Sequence, residues 1–155
     1  LVYDDFSFFE IDSDFNKNEI LPQVIEIIKD DCQDYSDEVT MALCELWKKS
    51  FVSNNTNQIG FMCRSNSDDF AGFILADSVS ENQKKTMVIN SFFVSTKFRG
   101  LGIGSELLSL CLSKLKETEK SWILIPNLFT PEKIEPLLFR MGFEKIGSGY
   151  AAKLQ

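Results

Sequence analysis

The chain has 155 residues, is 44% hydrophobic and carries a formal charge of −7, with 16 Lys and Arg against 23 Asp and Glu. That length supports one hydrophobic core, so a single domain over residues 1–155 is expected. The acidic balance argues against a general affinity for nucleic acid, which needs clustered Lys and Arg, and suits cationic partners such as amines.

No run approaches the roughly 20 apolar residues needed to span a bilayer. The start, Leu1-Val2-Tyr3-Asp4-Asp5, is acidic where a secretory signal is basic. The expectation is a soluble, cytoplasmic protein without a membrane partner, and the start at Leu1 rather than Met reads as trimmed. With no histidine the usual zinc sets are missing, and Cys32, Cys44, Cys63 and Cys111 form no C-x-x-C pair, so no metal is expected. Cys44 and Cys111 fall on apolar helical faces and read as small buried hydrophobes.

In chain order, Phe6–Ile11 reads as a first strand. Leu21-Pro22 opens a helix with Val24, Ile25, Ile27 and Ile28 on its apolar face, Pro22 fitting the first turn. Ser36 caps a second helix, in which Val39, Leu43, Leu46, Trp47 and Ser50 recur at three- and four-residue steps toward the core. Asn54–Asn57 is a polar turn. Three strands follow, Gln58–Arg64, Phe70–Asp77 and Thr86–Val94, joined through polar loops at 65–68 and 80–85 as an antiparallel meander. The next helix buries Ile103, Leu107, Leu108, Cys111, Leu112 and Leu115 along one stripe. Ser121–Pro126 is a short apolar strand, Pro131 begins another helix ending at Met141-Gly142, and one last strand runs from Phe143 onward.

Between the third of those strands and its helix lies the run Val94-Ser95-Thr96-Lys97-Phe98-Arg99-Gly100-Leu101-Gly102-Ile103-Gly104-Ser105. Glycines let backbone approach a ligand closely. The first N–H groups of the following helix have no partners within the helix and point at any anion placed there. Arg99 adds a fixed positive charge. A dinucleotide G-x-G-x-x-G loop fails on spacing, because it would need glycine at Ser105 or at Leu107. Gly142–Ser148 has the glycine spacing of a Walker loop but lacks its lysine.

The run resembles motif A of the GNAT superfamily of acyl-CoA-dependent N-acyltransferases, V-x-x-x-x-R/Q-x-x-G-x-G/A, through Val94, Arg99, Gly102 and Gly104. The order of elements is also that of the superfamily. The resemblance implies an α/β (α+β) fold: a mixed, mostly antiparallel sheet flanked by helices and splayed around an acyl-CoA cleft. It implies acetyl-CoA as co-substrate, held by Phe93, Val94, Arg99, Gly100, Leu101, Gly102, Ile103, Gly104 and Ser105, with Asn127 and Phe139 as further contacts. A backbone N–H near Val94 would meet the thioester carbonyl, and the acceptor would be a primary amine.

Two positions depart from the family pattern. Asn90 stands where many members carry a glutamate base, and Leu138 where many carry a tyrosine acid. Tyr150 is the candidate replacement acid, against a plain reading as a core-edge tyrosine; Asn90, Ser91 and Ser95 are candidates to hold water or substrate. The short closing strand around Gly149-Tyr150-Ala151-Ala152-Lys153 is similar to that of the glucosamine 6-phosphate N-acetyltransferases. That resemblance makes this amino-sugar phosphate the first acceptor to consider and implies a homodimer through the last strand. A protein or peptide N-acetyltransferase and a non-catalytic CoA-binding interaction domain are the alternatives.

Overall fold

Seven strands build one sheet in the order β1-β2-β3-β4-β5-β7-β6, and only the β4–β5 pair is parallel. The computed structural model describes residues 5–11, 17–51, 58–79, 86–118, 122–126, 134–147 and 149–154. In chain order the elements are β1 (Phe6–Glu10), α1 (Lys17–Asp31), α2 (Asp37–Phe51), β2 (Ile59–Ser65), β3 (Phe70–Val79) and β4 (Thr86–Val94). After a one-turn 3-10 helix at Thr96–Phe98 come α3 (Ile103–Lys116), β5 (Trp122–Ile125), α4 (Glu135–Arg140), β6 (Glu144–Ile146) and β7 (Gly149–Lys153). This is the mixed α/β architecture expected. No described helix is long and apolar enough to cross a membrane.

Two apolar clusters lie on the two faces of the sheet. On one face, Ile103, Leu107, Leu108, Cys111 and Leu115 of α3 pack with Leu138 of α4 against Ile74, Ala76, Met87 and Ile89. On the other, Ile20, Val24, Ile27 and Ile28 of α1 pack with Cys44 of α2 against Met62, Phe73, Leu75 and Phe93. The i, i+4 recurrence along α3 makes this stripe continuous, and its burial is the main term holding the helix on the sheet.

Three expectations change. Helix α1 begins at Lys17, so Pro22 lies in its second turn, exposed, where the helix forgoes the hydrogen bond that a proline nitrogen cannot donate. Ser36 does cap α2, its Oγ accepting from the Val39 N–H at 3.3 Å. Val39 itself, however, is 46% exposed, because α2 turns its buried side at Cys44 toward the sheet. The chain after Phe143 forms two strands rather than one, folded back at Gly147, whose φ of 58° suits a tight turn. Of that hairpin, β7 is the strand that enters the sheet beside β5: a Cβ at Gly149 would stand 2.7 Å from the Ile125 carbonyl oxygen. The Asn54–Asn57 turn, the 80–85 loop, the Pro131 helix start and the side chains of Leu46, Trp47 and Ser50 lie outside the described residues.

Candidate active site

Strand β4 pairs with β5 only through Thr86–Val88 and Trp122–Leu124. Beyond that point the two strands part, and β5 gives its other edge to β7. Ile89–Val94, about 20 Å of strand, therefore has no strand along its β5-side edge among the described residues. An extended ligand can lie in such a gap as a further strand, pairing with N–H and C=O groups along that edge of β4.

The mouth of the gap is the glycine loop. Gly100 and Gly102 take φ values of 79° and 86°, which place them in the left-handed region where a Cβ is costly. Gly102 is the N-cap of α3 and no side chain caps that helix; its first internal bond runs from the Glu106 N–H to the Gly102 carbonyl at 3.1 Å. The N–H groups of Ile103, Gly104 and Ser105 are left facing the cleft at the positive end of a 14-residue helix. A Cβ on Gly104 would project against Val94 Cγ2 at 3.5 Å and Phe92 Cζ at 3.6 Å, two side chains of the cleft wall. Arg99 is held at the rim by a bond from its Nε to the Val94 carbonyl, 3.1 Å.

The resulting cavity measures about 350 Å³. Of the residues expected at the cofactor, it brings together Phe93, Val94, Arg99, Gly100, Gly102, Ile103, Gly104 and Ser105. Leu101 and Phe139 are exposed, at 42% and 48%, and are not part of its lining. Asn127 lies outside the described residues. The sequence reading missed Phe92, Phe98, Ile134, Leu137 and Arg140, which also line the cavity. Arg140 faces the loop from the last turn of α4 and so adds a second guanidinium to the mouth; only the packing of α4 over the gap reveals it.

Tyr150 lies apart from the cavity lining, 2% exposed in the core, and its hydroxyl donates to Glu135 Oε2 at 2.5 Å. Its ring stands edge-on to Phe139, 6.3 Å between centroids. The phenol thus straps α4 to β7. Leu138 is fully buried beneath the same helix.

Asn90 has a different setting. Leu75 pairs with Ser91 and Ala76 with Ile89, so Asn90 is the extra residue of a β-bulge in β4. The bulge reverses the faces of the strand. Met87 and Ile89 before it, and Phe92 and Val94 after it, pack on the α3 face, whereas Phe93 packs on the α1–α2 face. Asn90 Nδ2 donates to Asp77 Oδ2, and Gln58 Nε2 donates to Asp77 Oδ1 at 2.9 Å. Ser91 is 1% exposed and its Oγ has no hydrogen-bond partner. A more open cavity of about 640 Å³ also lies on the α1 side, with Glu26 and Asp30 from α1, Asp68 and Asp69 from the β2–β3 turn, and Lys29 and Lys97 as its cations.

A mostly antiparallel sheet parted beside a glycine-rich helix start defines an acyltransferase architecture. The model of the acetyltransferase (GNAT) family matches residues 21–129, more than half of the chain, and the chain belongs to that family; it is an N-acetyltransferase. No curated protein matches it in sequence. Its fold is similar to that of a GNAT-family acetyltransferase from Staphylococcus aureus Mu50, with a TM-score of 0.75 and 16% identity over 97% of this chain and 99% of the other. The PaiA N-acetyltransferase of Thermoplasma acidophilum, solved in complex with coenzyme A, has a TM-score of 0.74 and 13% identity over 96% and 98%. The ribosomal-protein-S18-alanine N-acetyltransferase of Escherichia coli has a TM-score of 0.70 and 13% identity over 97% and 94%.

Proposed function

We propose that the chain moves an acetyl group from acetyl-CoA to the primary amine of a small molecule, by direct attack of the amine on the thioester. The observation that carries this reading is the uncapped N-terminus of α3, opening with its glycine loop into the gap between β4 and β5 between two arginines. Those residues fit the co-substrate. The N–H groups of Ile103, Gly104 and Ser105 would hold the pyrophosphate, with Arg99 and Arg140 supplying charge. The free edge of β4 would pair with the pantetheine arm and carry it from the loop toward Asn90. Phe92, Phe93 and Val94 flank that path and exclude water from it. A thioester arrives activated, so holding it in line with the amine and donating an N–H from the β4 edge to the developing oxyanion account for much of the rate.

Glucosamine 6-phosphate is the first acceptor to test, on the resemblance of the closing strand. The carboxylates of the α1-side cavity favour a second reading, in which the acceptor is a cationic amine without a phosphate or the free N-terminus of a peptide. Calorimetric titration with acetyl-CoA tests the common core of both. Binding by the wild type that is lost in Gly104→Asp supports the loop as the pyrophosphate site; a folded chain that binds no acetyl-CoA refutes it. Comparing amino-sugar phosphate, diamine and peptide acceptors then separates the two readings.

A further inference from the structure

A glycine-rich loop is a pliable place to hold an anion, because Gly100 and Gly102 lose more backbone freedom on ordering than other residues would. On its C-terminal side the loop is fixed by α3, whose Ile103 and Leu107 are buried in the core. On its N-terminal side it hangs from the one-turn helix Thr96–Phe98, in which no residue is fully buried and which no side chain caps. Contacts other than deep burial must hold that turn.

Its three consecutive side chains reach three separate elements. Thr96 Oγ1 donates to Asp30 Oδ2 on α1, Lys97 Nζ meets Asp69 Oδ2 of the β2–β3 turn at 3.4 Å, and the Phe98 ring stands edge-on to Phe6 of β1, 5.6 Å between centroids. The turn also divides two cavities: Ser95 and Lys97 line the α1-side one, Arg99 lines the glycine-loop one, and Phe98 lines both. Of the two polar tethers, the one to Asp30 is the better fixed. Gln33 Nε2 donates to Asp30 Oδ1 at 2.8 Å, so the carboxylate is held on α1 with its second oxygen toward the Thr96 hydroxyl. Lys97 is 70% exposed, and an ion pair open to solvent contributes little.

We infer that Asp30 is a positioning residue for the co-substrate: by accepting the Thr96 hydroxyl from α1, it fixes the turn from which Arg99 and the glycine loop extend, so that the loop meets acetyl-CoA already in its binding shape. The role is to lower the ordering cost of the loop on binding, the benefit of preorganisation. The charge of Asp30 works the other way, since a negative group bonded three residues before Arg99 repels a polyanion. Hydrogen bond and charge therefore have opposite signs for affinity, which makes them separable. Sequence spacing hides the pair, because Asp30 and Thr96 lie 66 residues apart.

The inference rests on the reading of the glycine loop as the acetyl-CoA site, and calorimetric titration with acetyl-CoA separates the two. Wild type, Asp30→Ala, Asp30→Asn, Thr96→Val, Thr96→Ser and the double variant Asp30→Ala/Thr96→Val are compared, each well below its own melting temperature so that stability does not enter the affinity. Loss of the bond should raise the dissociation constant roughly three- to tenfold in both Asp30→Ala and Thr96→Val. The double variant should bind no more weakly than either single one, because both changes remove the same bond. Asp30→Asn keeps an acceptor and Thr96→Ser keeps the hydroxyl, so both should bind at least as tightly as wild type. Wild-type affinity in Asp30→Ala or Thr96→Val overturns the assignment of Asp30 alone, as do additive losses in the double variant or a loss in Asp30→Asn equal to that in Asp30→Ala. Tighter binding by both Asp30→Ala and Asp30→Asn overturns it too, since Asp30 would then act through its charge. A folded wild type that binds no acetyl-CoA overturns the loop reading, and Asp30 with it.

Discussion

Gly104→Asp separates what the glycine loop does for the fold from what it does for a ligand, because the two effects have opposite signs. Gly104 is the second residue of α3 and is absent from the positive-φ glycines, so a side chain is compatible with its backbone. The added Cβ meets Val94 and Phe92 at 3.5 and 3.6 Å, ordinary contact distances that force nothing to move. Replacing glycine in a helix gains up to about 0.5–1 kcal/mol of propensity, and an acid in the first turn gains about 0.3–1 kcal/mol more from the helix dipole. The variant should therefore be as stable as wild type or slightly more so. Its carboxylate, however, enters the space where a pyrophosphate would receive the Ile103, Gly104 and Ser105 N–H groups. Two unit charges about 4 Å apart cost about 4 kcal/mol at an effective dielectric of about 20, and screening lowers this toward about 2 kcal/mol. Acetyl-CoA affinity should then fall roughly 30- to 1,000-fold. Calorimetry with acetyl-CoA and urea unfolding of the same preparation give both numbers. Unchanged affinity in the variant would refute the loop as an anion site, and a parallel loss of stability would show that Gly104 serves the fold.

Tyr150→Phe removes a hydroxyl bonded to Glu135 and should lower stability by about 1–2 kcal/mol while leaving kcat within about threefold, measured by urea unfolding and CoA release; a loss of kcat without a loss of stability would instead make Tyr150 the acid. Gly72→Ala should destabilise by about 2 kcal/mol or more, since its Cβ would stand 2.6 Å from the Phe93 carbonyl oxygen in the neighbouring strand; a wild-type urea midpoint would refute that close approach. Burial pushes the Cys63 and Cys111 thiols from near 9 up to about 12, so both should resist a thiol reagent at pH 8 in the native state and react once urea unfolds the chain. The same shift carries a sign for stability. Unfolded thiols ionise above about pH 9 and the folded ones do not until about pH 12, so the stabilisation is complete below pH 9 and is lost between these values. Cys111→Ala should shrink that alkaline loss, and an unchanged alkaline slope would refute the cause.

The patterns that sequence alone determined are those set by local chemistry. The stripe Ile103–Leu107–Cys111–Leu115 reads as one helical face at the 3.6-residue period, and the spacing of Arg99, Gly100, Gly102 and Gly104 marked the loop at the start of α3, because glycine tolerates the positive φ that Gly100 and Gly102 adopt. Ser36 declared its helix for the same reason: a short side-chain oxygen satisfies an orphan N–H of the first turn. What tertiary structure decided is whatever depends on pairing between distant segments. The parting of β4 from β5 is a matter of register: the four-residue β5 pairs only with Thr86–Val88 of the nine-residue β4, which no local window contains. The bulge at Asn90 was invisible because the residues after it alternate as regularly as those before, and only the register against β3 shows that the faces have reversed. Arg140 in the cavity lining and the hydrogen bond from Asn90 to Asp77 are of the same kind: each residue is ordinary in its own segment, and its place is set only by the strand or helix packed against it.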